Sequence, residues 1–177
     1  LDRVSSLAGK SVRPLTVKAF DRFHANVLNF VEKTAAKQVQ GITAETRQRV
    51  AQTIAAGVAE DMTKDEIADM IKAAYADMKT SRAFTISRTE VGAAYGFGNH
   101  EGARQGAAQY GLALEKAWLS SRDDRVRDRH QLMDGEVAAM DARYSNGLKY
   151  PGDPDGSAEE VINCRCAEMH SVAGTPE

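Results

Sequence analysis

Gly106-Ala107-Ala108-Gln109-Tyr110-Gly111-Leu112-Ala113-Leu114-Glu115-Lys116-Ala117-Trp118 is where the apolar rhythm of this 177-residue chain changes. Before it, large apolar residues recur every three or four positions, the spacing of one helix face. Within it, Leu112, Leu114 and the single Trp118 fall on alternate positions, as on a half-buried strand. The chain is therefore expected to be α+β: a partner-binding helical region over 1–105, then a small module of short strands, helix and loops over 106–177.

Upstream, Pro14 suits a first helical turn, and Phe20, Phe23, Val27, Phe30 and Val31 share one stripe that Gly41 would end. Thr43 can cap a second helix with Val50, Ile54 and Val58 inward, although Gly57 weakens it by about 1 kcal/mol relative to Ala. Thr63-Lys64-Asp65-Glu66 is a capping box, and Ile67, Met70, Ile71, Ala74 and Met78 follow as its buried face. From Arg82 to Arg104, Phe84, Ile86, Val91, Ala94 and Tyr95 again read as helix. Gly92, Gly96, Gly98 and Gly102 weaken that helix unless a neighbour packs closely, so its small face reads as a contact surface for a partner. His24 and His100 are isolated and read as surface or core histidines.

Downstream, Asp123 to Met133 reads as a short helix closed by Gly135, and Tyr144-Ser145-Asn146-Gly147-Leu148 holds the Asn-Gly pair of a tight hairpin turn. Pro151-Gly152-Asp153-Pro154-Asp155-Gly156 has no regular structure open to it. Asp153 and Asp155 there suit side-chain turns better than a calcium loop. Ile162, Cys164 and Cys166 alternate, so a closing strand would aim both thiols at one face.

Composition narrows the function. An apolar share of 42% with 27% charged residues can bury a core, and a net charge of −2 with pI near 6.1 is not that of a chain that coats nucleic acid or lies on an anionic membrane. Any DNA contact would be local. No apolar run nears the roughly 20 residues that cross a bilayer. Both cysteines lie in Cys164-Arg165-Cys166, which makes no disulfide framework and fits a reducing compartment. A start at Leu1 and an end at Glu177 read as those of a piece of a longer polypeptide.

Cys164, Cys166 and His130 are three soft or borderline ligands for zinc, with Asp134 or His170 as a fourth. On an ideal strand the two sulfurs stand about 7 Å apart, so sharing a metal needs a bend. Buried free thiols beside a hydrogen-bonded histidine, or a nucleophilic Cys–His pair, fit the same residues. Arg122, Arg125, Arg127 and Arg129 interleave with Asp123, Asp124 and Asp128, a pattern of ion pairs ordering a turn and a helix start, with Arg125 or Arg127 left as a phosphate contact. Arg88 and Glu90 face different ways on a helix and read as separate anchors toward the C-terminal module.

The ordered series Ile86-Ser87-Arg88-Thr89-Glu90, Lys116-Ala117-Trp118, Asp124-Arg125-Val126-Arg127, His130, Asp134-Gly135, Tyr150 to Gly156, Glu159-Glu160-Val161-Ile162-Asn163 and Cys164-Arg165-Cys166 resembles the core of the phage Mu protein F-like minor head proteins. It spans about 85–166. Met133 stands where a leucine is expected. The resemblance implies a head-morphogenesis protein of a tailed phage, inside the virion head and in the host cytoplasm during assembly. Its implied partners are the portal, the major capsid or scaffolding protein, and packaged DNA through a local contact. The alternative is an ADP-ribosyltransferase-like or nuclease-type enzyme carried in the head. The chain has no phosphate-cradling glycine loop, His-Glu-x-x-His or nucleophile elbow.

Overall fold

The computed structural model describes residues 25–37, 39, 42–75 and 78–174. Pro14, Phe20, Phe23, His24 and Gly41 lie outside them. The protein is α+β. Four helices come first, α1 (Ala25–Thr34), α2 (Ala44–Ala59), α3 (Lys64–Ala74) and α4 (Thr80–Tyr110). They are followed by β1 (Leu114–Leu119), α5 (Asp128–Leu132), β2 (Val137–Ala139), α6 (Ala158–Val161) and β3 (Ala167–Val172).

Local chemistry sets the helix starts. Thr43 Oγ1 accepts the Thr46 N–H at 3.1 Å, and the expected capping box closes from both sides, Thr63 N–H to Glu66 Oε2 at 2.7 Å and Glu66 N–H to Thr63 Oγ1 at 3.3 Å. Gly57, which weakens α2 on its own, lets α3 approach: a Cβ there would sit 2.5 Å from Ile67 Cγ1. Val31, Val50, Ile54, Ile67, Ile71 and Ile86 form the main apolar core. Of the face expected for α3, Ile67 and Ile71 are buried, Ala74 is exposed, and Met78 is buried beyond the helix end. The first helix stops at Thr34. Ala36 then takes a left-handed φ of 62° while fully buried, and its N–H is accepted by the Glu90 carboxylate.

Helix α4 has 31 residues, about 46 Å of rise, and runs past the expected limits on both sides to a left-handed Gly111. Its first half packs on α3 and its second on β3 and the Pro151 loop. The small face expected to meet a partner is occupied at Gly92 and Gly96 by this same chain. A Cβ at Gly92 would meet the Cys164 carbonyl at 3.7 Å, and one at Gly96 would run into the Pro151 carbonyl oxygen. The loop 151–154 is buried. Its backbone satisfies itself through turns, with Asp153 Oδ1 accepting from Asp155 N–H at 3.0 Å and Oδ2 from Lys149 N–H at 3.0 Å.

The sheet is antiparallel in the order β2-β1-β3. Lys116 and Trp118 share its inner face, and Trp118 anchors a second core with Met133, Tyr144, Leu148 and Val161. Three expectations are corrected here. The helix expected from Asp123 shrinks to Asp128–Leu132, because Asp123 Oδ1 takes the Arg125 N–H at 3.0 Å and favours a turn. Tyr144–Leu148 closes as a turn, with Gly147 at φ 83°, but joins no strands. Cys164 and Cys166 precede β3, because Asn163 turns left-handed at φ 56°. Among the described residues no helix is long and apolar enough to cross a membrane.

Candidate metal centre

Helix α5 and the bend before β3 bring His130, Cys164 and Cys166 together, as expected of them. His130 is buried on α5, and its Nδ1 lies 3.8 Å from Cys164 Sγ and 3.5 Å from Cys166 Sγ. The bend that converges the sulfurs is pinned to α4, where Thr89 Oγ1 accepts the Asn163 N–H at 3.0 Å. On its far side, His130 Nε2 stands 2.9 Å from Glu160 Oε2, and Glu160 also accepts from Asn146 Nδ2 at 3.1 Å and Arg129 at 3.2 Å. A carboxylate there assigns the ring proton to Nε2 and leaves the Nδ1 lone pair facing the sulfurs.

The electrostatics fit a shared anionic site. Burial lowers the His130 pKa, but Cys164 and Glu160 together raise it. The Cys164 thiol is pulled down by the hydrogen bond from Cys166, against its own burial, and Cys166 is correspondingly held up. The Trp118 indole and the Ser121 amide act the other way on Cys166, favouring its thiolate. The indole Nε1 is buried with no oxygen or nitrogen acceptor among the described residues.

Neither residue expected as a fourth ligand joins. Asp134 accepts from Ser120 N–H at 2.9 Å and Arg122 at 2.8 Å, while His170 Nε2 is bound to Glu168 at 3.0 Å. The other motif residues frame the site. Gly135, at φ 84°, donates its N–H to the Trp118 carbonyl at 2.8 Å, and Arg127 precedes α5 and hydrogen-bonds the Ile162 carbonyl. Asp124 is exposed in the preceding turn, where Arg165 pairs with Asp123. The ring and hydrogen-bond partners of Arg88 and Glu90 lie in the helical half, although Glu90 also lines a cleft with Ala158 and Ile162 of the module. Arg88 lies over the Phe84 ring at 4.5 Å, Glu90 faces Ala36, and it is Thr89 between them that holds Asn163.

A second polar cluster escapes sequence reasoning. The Glu168 side chain is fully buried and its Oε2 lies 3.0 Å from both His100 Nδ1 and His170 Nε2. Oε1 accepts the Tyr144 hydroxyl at 3.1 Å and stands 4.0 Å from Lys116 Nζ. Burial alone would raise the Glu168 pKa, but the two histidines reverse this and hold it down to about 2. Lys116, also fully buried, donates to the Ala142 and Lys149 carbonyls at 2.7 and 2.6 Å. The signal available was parity: Lys116 and Trp118 must share a face of one strand.

No solved structure matches the chain significantly. The NAD(+)–arginine ADP-ribosyltransferase EFV of Enterococcus faecalis is 29% identical over 162 residues, covering 87% of this chain and 33% of that protein. Minor head protein GP7 of Bacillus phage SPP1 is 24% identical over 144 residues, covering 80% of this chain and 46% of that protein. The chain thus spans a third to just under half of these relatives. A family model described as Phage Mu protein F like protein matches residues 44–169, well over half of the chain, and the chain belongs to that family.

Proposed function

We propose that this chain is a minor head protein that joins the portal during assembly of a tailed phage and there contributes to head morphogenesis. The observation that carries the reading is membership of the Mu F-like family, supported by the match to a minor head protein over 80% of the chain. The surface favours a protein partner. On the outer sheet face Ala117 is flanked by Val137 and Met169, which are 58% and 49% exposed, on two edge strands. A DNA contact has fewer groups to draw on, since Arg122 pairs with Asp134, Arg129 with Glu160, and Arg127 is tied to the Ile162 carbonyl. Arg125, with its side chain 73% exposed and only a 4.0 Å pairing to Asp123, is the group among these four left for a phosphate. Purified chain should co-sediment with portal, and the double variant Val137→Asp/Met169→Asp should not, at an unchanged unfolding temperature. Equal sedimentation of the two would discard the sheet face, and no binding by the wild type to portal or procapsid would discard the reading.

A second reading rests on the similarity to an ADP-ribosyltransferase. The same region of this chain matches a protein named for that activity and one named for a place in the head, which favours a common structural role over a shared reaction. Nicotinamide release from NAD(+), or nuclease turnover, by the purified chain would reverse that preference.

A further inference from the structure

We infer that His130 Nδ1, Cys164 Sγ and Cys166 Sγ bind one zinc ion, with a fourth position filled from solvent, and that this ion clips α5 to the bend before β3. A tetrahedral zinc with sulfur at about 2.3 Å and nitrogen at about 2.0 Å places those atoms about 3.6 Å apart. The nitrogen–sulfur distances are 3.8 and 3.5 Å, and all three ligand atoms lie within 4.8 Å of one another. With Nε2 protonated toward Glu160, Nδ1 has one lone pair, yet two sulfurs converge on it.

Two further features point to a metal. Glu160 behind His130 forms the carboxylate–histidine pair that orients an imidazole for coordination. The Trp118 indole N–H is fully buried beside Cys166 without an oxygen or nitrogen acceptor, and a metal-bound thiolate is an acceptor suited to it. Two thiolates and a neutral imidazole leave the loaded site with no net charge, which lowers the cost of burying it. The need is also physical. Among the described residues the second core's buried apolar members are Trp118, Met133, Tyr144, Leu148 and Val161, so metal affinity would add to folding free energy where apolar burial is small.

The test uses the full purified chain. Elemental analysis should find one zinc per chain, and replacement by cobalt should give the intense visible bands of tetrahedral coordination with near-ultraviolet thiolate charge transfer. Chelation should red-shift Trp118 fluorescence, lower the unfolding temperature and expose both thiols to a thiol reagent. Cys166→Ser and His130→Ala should lose the metal, and chelator should then change nothing further. Should those variants misfold, thiol protection by added zinc in the wild type still decides the matter. Wild-type chain that takes up no zinc or cobalt, with thiols equally reactive whether zinc is present or absent, overturns the site. Variants that keep full metal content overturn the ligand assignment.

Discussion

Gly96 and Gly106 both interrupt α4, yet alanine should act on them with opposite sign. Inside a helix, Gly→Ala is worth about 1 kcal/mol in favour of folding, through the entropy of the unfolded chain and helix propensity. At Gly106 nothing lies within 4 Å of the added Cβ, so that gain should appear undiminished. For a chain of this length it amounts to roughly 2–4 °C in unfolding temperature. At Gly96 the Cβ would run into the Pro151 carbonyl oxygen, with Pro151 C and Tyr150 Cδ2 both at 3.3 Å. The obstacle is backbone in a buried loop, and relief needs a displacement on the order of 1 Å in closely packed surroundings. Overpacking of this kind costs about 3 kcal/mol, which outweighs the propensity gain and leaves a net loss of about 2 kcal/mol, or roughly 4–8 °C. Thermal unfolding followed by circular dichroism and by the fluorescence of the single tryptophan gives both numbers. If Gly96→Ala is as stable as Gly106→Ala, the close approach of α4 and the Pro151 loop is wrong, and the glycine face is open for a partner after all.

Glu90 should leave a pH signature. Burial raises its pKa from 4.5 to about 7, only partly offset by the Ala36 N–H. The unfolded chain therefore ionises first, and folding loses up to about 3 kcal/mol as pH rises through that window, with full stability below it. Urea unfolding on either side of the window should show the fall in wild type and its absence in Glu90→Gln; parallel profiles would contradict the burial of that carboxyl. Lys116→Met keeps the volume but leaves the Ala142 and Lys149 carbonyls without their donor and removes the buried positive charge 4.0 Å from Glu168, so it should cost about 3–5 kcal/mol and lower the unfolding temperature by roughly 6 °C or more. A change within a degree or so would mean that the lysine is solvated rather than buried.

What could be read from the sequence was what is decided locally. The Thr63–Glu66 box, the Thr43 cap and the alternation into Trp118 depend on residues within a few positions of one another; the box and cap have their expected form, and of the alternation Leu114 and Trp118 lie in β1 while Leu112 precedes it and is exposed. The metal-type residues were legible as one candidate set, but the bend that brings them together was not. It depends on a left-handed Asn163 held by Thr89, 74 residues away, which replaces the strand that alternation suggests. The glycines of α4 show the same limit: local propensity reports a weak helix, while the loop that packs against Gly96 comes much later in the chain. Lys116 was hidden because a lysine argues against burial, although strand parity places it inward with Trp118. His100 reads as isolated until Glu168, 68 residues on, is folded against it.

The claim that this chain serves in the phage head is tested most directly by peptide mass spectrometry of gradient-purified particles from a lysate of the phage that encodes it. Its peptides should co-purify with portal peptides through successive gradients, at a constant ratio to portal and far below the major capsid protein. Peptides found in the infected cell but removed from particles by the gradients would contradict a place in the head.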